Sequence, residues 1–271
     1  MNVQTPARTA TAPVLLRERH GAIALLVLNR PAARNSLSEA LLGELSGAFA
    51  DIAADRSVRA VVLAGNGPAF CAGHDLKELT ARRTDADGGR AYFQHIMNLC
   101  STMMQSIVAL PQPVIAAVEG VASAAGCQLV ATCDLAVATQ NAKFATPGVD
   151  IGLFCSTPMV ALSRNVVPKH AMEMLLTGDM ISADDAARIG LINRVAPDAR
   201  AAAMALADKV ASKSSYVLKV GKQAFYKQAE MGLAEAYAYA AQVMTENMMA
   251  RDAEEGICAF IEKRDPTWED R

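Results

Sequence analysis

The sequence predicts an α/β fold. Three observations carry the prediction: short apolar runs alternate with helically spaced apolar residues through the first half, glycine-containing turns join apolar runs to helices, and beyond residue 156 the pattern is almost wholly helical. Residues 14–29, VLLRERHGAIALLVLN, place two apolar runs either side of His20-Gly21 and read as a hairpin. Ser38 stands as an N-cap before EALLGELSGAFADIAAD, in which Leu41, Leu45, Ala48, Phe49 and Ile52 share one helical face. VRAVVLAG (58–65) is a buried strand, and FCAGHDLKEL (70–79) runs from the end of a strand into a helix.

Residues 89–109 form a helix that must stop before Pro111, and PVIAAVEG (113–120) is a second buried strand broken by Gly120. AAGCQLVATCD (124–134) has helical spacing, LAVAT (135–139) is a strand and KFATPGVDIG (143–152) a turn-rich loop. Ser182 to Asp185 form a capping box opening DAARIGL, which Gly190 closes. Long helices fill the C-terminal part, one carrying Met244, Met248 and Met249. They hold more apolar surface than one sheet can cover, which predicts packing against another subunit. Residues 1–13, small and polar, read as a flexible segment.

Composition narrows the function. With 52% hydrophobic and 20% charged residues and a net charge of −2, the chain matches neither a disordered polymer nor a nucleic-acid binder, so small molecules or protein are the expected partners. The six cysteines form no C-x-x-C pair and lie far from the four histidines, which argues against zinc and for a reducing compartment, taken as the cytoplasm. No apolar run approaches the roughly 18 residues of a membrane span, and neither a secretory signal nor an arginine-rich transit segment is expected. The five lysines of KVASKSSYVLKVGKQAFYK (209–227) read as a solvated helix face.

Two strand-to-helix turns carry the chemistry: Ala72-Gly73-His74-Asp75 and Ala124-Ala125-Gly126-Cys127. Such turns leave N–H groups unpaired at a helix start, backed by the positive end of the helix dipole. Two of them aimed at one point form an oxyanion hole for a thioester enolate or tetrahedral anion. Neither turn is G-x-G-x-x-G and no Gly-Lys-Ser/Thr occurs, which argues against dinucleotide and Walker-type phosphate sites.

FCAGHDLKEL, VEGVASAAGCQLVATCDLAVA, KFATPGVDIGL and EMLLTGDMISADDAARIGLINRVAP, with LNRPAARNSLS before them and FIEKRDPTW after, resemble the enoyl-CoA hydratase/isomerase (crotonase) superfamily from residue 14 to 268. The resemblance implies a ββα spiral core over residues 14–200, a helical trimerisation region over 201–271, and an acyl-CoA ligand. No cofactor is implied beyond the coenzyme A of the substrate, and the implied assembly is a homotrimer or a dimer of trimers. It assigns the two oxyanion donors to the peptide nitrogens of His74 and Ala125, the latter where many relatives have glycine. The His74 ring either turns away into a local hydrogen bond or approaches the substrate, as in malonyl-type decarboxylases of the superfamily. Ala72, Asp75, Leu76 and Lys77 would line the CoA path, Arg34 would meet the CoA phosphates, and Phe260 and Lys263 would reach a neighbouring subunit's CoA.

The chain departs from the family at the two hydratase glutamates, which correspond to Gln128 and Gly148. Neither exchanges a proton at neutral pH. Each lost acid or base removes a factor of about 10² to 10⁴, so weak hydration is expected, and glutamate at both positions is expected to restore it. Gln128 either orients a water or substrate amide or bonds to backbone. Asp150 is the nearest replacement acid, with a loop aspartate bonded to backbone as the other reading, and Cys155 reads as an inert buried thiol beside Ser156. Three functions stand: an enolate-stabilising acyl-CoA enzyme, a decarboxylase of malonyl-type thioesters, and a non-catalytic acyl-CoA-binding trimer.

Overall fold

The structure, a computed structural model, describes residues 12–271, so the proposed flexible segment lies almost wholly outside the described residues. The hairpin forms where the sequence puts it: β1 (Leu15–His20) and β2 (Ile23–Leu28) pair antiparallel around Gly21, whose φ of +57° suits glycine. Helix α1 (Glu39–Ala54) starts at Ser38, whose hydroxyl accepts from the Leu41 N–H. Then come β3 (Ala60–Gly65), β4 (Ala69–Cys71), α2 (Leu76–Ala81), α3 (Arg90–Ala109), β5 (Val114–Val118), β6 (Val121–Ser123), α4 (Ala125–Thr132), β7 (Leu135–Ala138) and β8 (Lys143–Ala145). The remaining elements are α5 (Pro158–Asn165), α6 (Pro168–Thr177), β9 (Ile181–Ser182), α7 (Ala183–Arg188), β10 (Arg194–Val195), α8 (Ala199–Ala211), α9 (Ser215–Gln228), α10 (Leu233–Met248) and α11 (Arg251–Glu262).

The strands make two sheets. One has six strands in the order β1-β2-β3-β5-β7-β10, parallel from β2 onward; the other has four in the order β4-β6-β8-β9, its first three parallel. The second sheet is absent from the sequence reading, and KFATPGVDIG holds β8 and a short 3₁₀ turn (Pro147–Ile151) instead of only a loop. Strands of two or three residues are too short to show a two-residue period.

Strand alternation sorts the large sheet's side chains into two cores. Ile23, Leu25 and Val27 of β2 and Val62 of β3 meet Ala199, Ala203 and Ala207, the small-residue face of α8. Leu26, Leu28 and Leu63 point the other way, into the main core with Phe49, Met103 and Phe144.

Beyond α8 the packing thins, and neither α9 nor α10 has a fully buried residue. A polar anchor holds α9. Lys222 Nζ donates to the carbonyls of Ile107 and Gln112 and to the Asp134 carboxylate at 2.6 Å, while Tyr226 donates its hydroxyl to Asp134. One of the five lysines read as a solvated face thus has its side chain buried, because Asp134 and two carbonyls replace its hydration. Leu233, Tyr237, Met244 and Met248 of α10 and Ile257, Phe260 and Ile261 of α11 are exposed apolar side chains.

Candidate active site

The carboxyl ends of three neighbouring parallel strands bring the predicted pieces together. Cys71 pairs with Ala122, and Ser123 with Ala145, so β4, β6 and β8 end side by side. From these ends the chain runs into Gly73-His74, Ala124-Ala125 and Thr146-Pro147-Gly148 respectively. Loops at the carboxyl ends of parallel strands are the usual ligand site of open α/β sheets.

Backbone pairing orients His74. The Leu37 N–H donates to the Gly73 carbonyl at 2.7 Å, and the Asp75 N–H donates to the Leu37 carbonyl at 3.1 Å. In an extended segment the intervening N–H faces the opposite side, so the His74 N–H turns away from Leu37, and it meets no acceptor among the described residues. Ala125 opens α4, and its N–H likewise has no acceptor among the described residues.

Two glycines press the turns together. A Cβ on Gly126 would stand 2.0 Å from the Cys71 carbonyl oxygen, so the first turn of α4 reaches β4 only because residue 126 has no side chain. A Cβ on Gly73, at φ +95°, would stand 3.0 Å from the Ala124 Cβ and 3.4 Å from the Ala125 nitrogen. Ala124 itself has φ +49° and ψ −117°, a conformation that costs a non-glycine residue about 1–3 kcal/mol, and its N–H is held by the Ala145 carbonyl at 2.9 Å.

Apart from Asp75, which is paired with Arg30, the buried side chains at these turns are uncharged. Burial pushes the His74 pKa below its ordinary value, opposed by the neighbouring Leu37 carbonyl, and neither ring nitrogen has a hydrogen-bond partner. The ring thus lies against the Leu37 carbonyl, the local contact that was one of its two readings, at a geometry too loose for a full hydrogen bond. Gln128 is buried, and its Oε1 has no hydrogen-bond partner among the described residues. Burial pushes the Cys71 and Cys127 thiols up to about 12 and raises that of Cys155, in keeping with an inert Cys155.

Gly148 is closed off by its own loop. A Cβ there would lie 2.6 Å from the Leu153 carbonyl oxygen and 2.9 Å from Cys155 Sγ. Restoring glutamate at 128 and 148 is therefore not the simple exchange that the sequence suggests, because the path of a side chain at 148 is filled.

Other predicted residues divide. Asp75 is occupied structurally: it caps α2 through the Lys77 N–H, pairs with Arg30 at 2.9 Å and accepts from Ser36, so it is not free to line a ligand path. Burial raises its pKa, but these bonds, Arg30 first, overcome that and hold it below the usual carboxylate range. Leu76 and Lys77 are exposed at the start of α2. Arg34 is exposed at φ +51°, and its carbonyl accepts from the Ala72 N–H at 3.0 Å, which ties it to the His74 turn. Asp150 is exposed, its backbone lies in the Pro147–Ile151 turn, and its carboxylate stands 3.1 Å from where a Gly178 Cβ would be, at the end of α6. Phe260 is exposed and Lys263 caps α11 at φ +57°. Sequence reasoning missed Leu37 and Leu153, which act through backbone atoms, and the Arg30 partner of Asp75.

Comparison with known proteins gives this arrangement a family. The sequence model described as enoyl-CoA hydratase/isomerase matches residues 18–271. A mouse protein, enoyl-CoA hydratase domain-containing protein 3, mitochondrial, is 46% identical over 97% of this chain and 87% of its own length. A crystal structure of a Mycobacterium smegmatis enoyl-CoA hydratase superposes with a TM-score of 0.89 at 51% identity, covering 94% of this chain and 99% of its own. The structure of human enoyl Coenzyme A hydratase domain-containing protein 3 gives 0.89 at 44% identity, over 94% of this chain and 100% of its own. The mouse protein and its rat and human counterparts are named mitochondrial, which overturns the cytoplasmic expectation. Cysteine spacing in a sequence does not say which compartment holds the protein. The strand order, the two turns and these matches agree: the chain has the crotonase α/β fold and belongs to the enoyl-CoA hydratase/isomerase family.

Proposed function

We propose that this protein binds an acyl-CoA thioester and stabilises its enolate with the peptide N–H groups of His74 and Ala125. The observation that carries the reading is the pairing of two acceptor-less N–H groups on turns held together by Gly73 and Gly126 at adjacent strand ends. Neutral donors fixed in this way stabilise developing negative charge without reorganising during reaction. Arg34, exposed beside the first turn, would meet CoA phosphates, with Ala72, Leu76 and Lys77 along the same route. The exposed apolar faces of α10 and α11 support assembly into trimers, in which Phe260 and Lys263 would approach a neighbour's ligand.

Ordinary hydration is not the reaction we assign. It requires a base for water and an acid for the α-carbon, and the residues at hand are an amide, a glycine, a ring that burial keeps neutral and protonated thiols. The same neutrality favours decarboxylation of a malonyl-type thioester as a second reading: loss of CO₂ leaves the electron pair on the α-carbon as an enolate, and no base is needed. Incubation with crotonyl-CoA, a 3-enoyl-CoA and methylmalonyl-CoA, followed by product analysis, separates hydration, isomerisation and decarboxylation. Tight binding of all three with no product would favour a non-catalytic binding protein. Fast hydration of crotonyl-CoA would overturn the assignment.

A further inference from the structure

Beyond α11 the chain from Lys263 to Arg271 forms neither helix nor strand, yet it is fastened at both of its sides. On one side is α11 itself. Asp252, fully buried in its first turn, accepts the N–H groups of Glu269 at 2.7 Å and Asp270 at 3.0 Å, and its own N–H donates to the Arg271 carbonyl at 3.0 Å. The Trp268 ring lies against Gly256, where a Cβ would stand 3.2 Å from it. On the other side is the body of the molecule. Trp268 donates its indole N–H to the Ser212 carbonyl at 2.9 Å, and the Asp270 carboxylate accepts from the Ser215 N–H at 2.8 Å, at the start of α9. Both terminal nitrogens of Arg59, just before β3, donate to the same carboxylate at 2.9 and 3.1 Å. Paired bonds between charged groups fix direction as well as distance.

Packing does less to hold α11. Among the described residues its buried side chains are Asp252 and Ala259, and Asp252 is taken up by the tail. A cavity of about 350 Å³, lined by Val58, Arg59, Pro111, Tyr216 and Asp270 among others, lies where the tail, α9 and the amino ends of β3 and β5 meet, so polar bonds span a gap there. Asp270 has φ +59°, a left-handed conformation that a residue other than glycine keeps when its surroundings hold it. Ile257, Phe260 and Ile261 stand exposed on another face of the same helix.

We propose that Thr267 to Arg271 form a clasp that sets the direction of α11, and that Arg59, Asp252 and Asp270 are positioning residues for Phe260 and Lys263. This rests on the reading in which Phe260 and Lys263 approach a neighbour's ligand, and names what holds them there. The proposed peptide donors grip the thioester within one chain, so a group arriving from another chain meets the remainder of the CoA. Loosening the clasp should therefore be felt at the nucleotide end of the ligand and not at the thioester.

Calorimetric titration of the full chain with acetoacetyl-CoA and with acetoacetyl-pantetheine, which lacks the nucleotide, tests the proposal alongside hydrogen exchange. Asp270→Ala and Arg59→Met should each weaken acetoacetyl-CoA binding about tenfold, the scale of one lost aromatic contact, and leave the pantetheine thioester within about twofold of the wild type. Phe260→Ala should do the same, and adding it to Asp270→Ala should change little, because both remove one contact. Amides of α11 should exchange faster in the two clasp variants while those of α4 do not. Unchanged exchange in α11 would overturn the clasp. Faster exchange with both thioesters bound as in the wild type, or with both weakened alike, would overturn the positioning role. If the wild type binds neither thioester, the acyl-CoA reading fails and the positioning role with it, and exchange alone decides the clasp. Should one variant not fold, the other carries both measurements.

Discussion

The ends of β4 and β6 and the end of β8 meet at one site but are built differently. At the first two, glycines at 73 and 126 draw two turns into contact and leave peptide N–H groups without acceptors. At the third, glycine at 148 lets the chain fold back, and the Leu153 carbonyl and Cys155 thiol fill the space that a side chain would need. The same residue type opens one part of the site and closes the other. The comparison teaches that stabilising negative charge and moving protons are separable: the first lives in backbone geometry, and the second needs ionisable side chains.

The largest test of this contrast removes a donor. His74→Pro deletes the N–H and should lower turnover of whichever thioester is transformed by about 10² to 10³-fold, whereas His74→Ala keeps the N–H and should leave thioester binding largely intact. Steady-state kinetics on variants shown to fold would check both. Loss of binding in a folded His74→Ala protein would move the function from the peptide nitrogen to the ring.

Next in size is the contact between the two turns. Gly126→Ala drives a methyl group against the Cys71 carbonyl and should cost about 3 kcal/mol or more, read by denaturant unfolding. A neutral substitution there would mean that α4 and β4 are not in register as described.

Smaller again is the effect at the closed end. Gly148→Glu, added to Gln128→Glu, should destabilise by about 1–3 kcal/mol and give little crotonyl-CoA hydration, because the Leu153 carbonyl blocks the new side chain. A tenfold rise in hydration would break the comparison by showing that the loop yields.

The smallest effect is in pH dependence. Burial holds the His74 pKa below its ordinary value of 6.5, so on acidification the unfolded chain takes up this proton before the folded one. Its stability contribution is complete above about pH 6.5 and declines as pH falls towards the folded value. NMR titration of the ring should find the depressed pKa, and His74→Ala should flatten that part of the stability profile.

How much of this was legible depended on where the information sits. The hairpin, α1 and the buried strands β3 and β5 were readable because long apolar runs and a helical period repeat the same signal many times. Strands β6 and β8 were not, and β4 showed only its end before Gly73, since three residues carry too little pattern, although it is these strand ends that assemble the site. The two donor turns were legible through their glycines. The blockage at Gly148 was not, because it is made by a carbonyl, and every residue has one. Asp75 and Lys222 show the same limit from the other side: the sequence reading puts one along the CoA path and the other on a solvated face, and both are claimed by partners distant along the chain, Arg30 and Asp134.

A crystal structure with a non-reactive acyl-CoA analogue tests the central claim most directly. The account predicts the thioester oxygen about 2.7–3.1 Å from the peptide nitrogens of both His74 and Ala125. A bound thioester whose oxygen contacts neither nitrogen, with the CoA otherwise ordered, would contradict it.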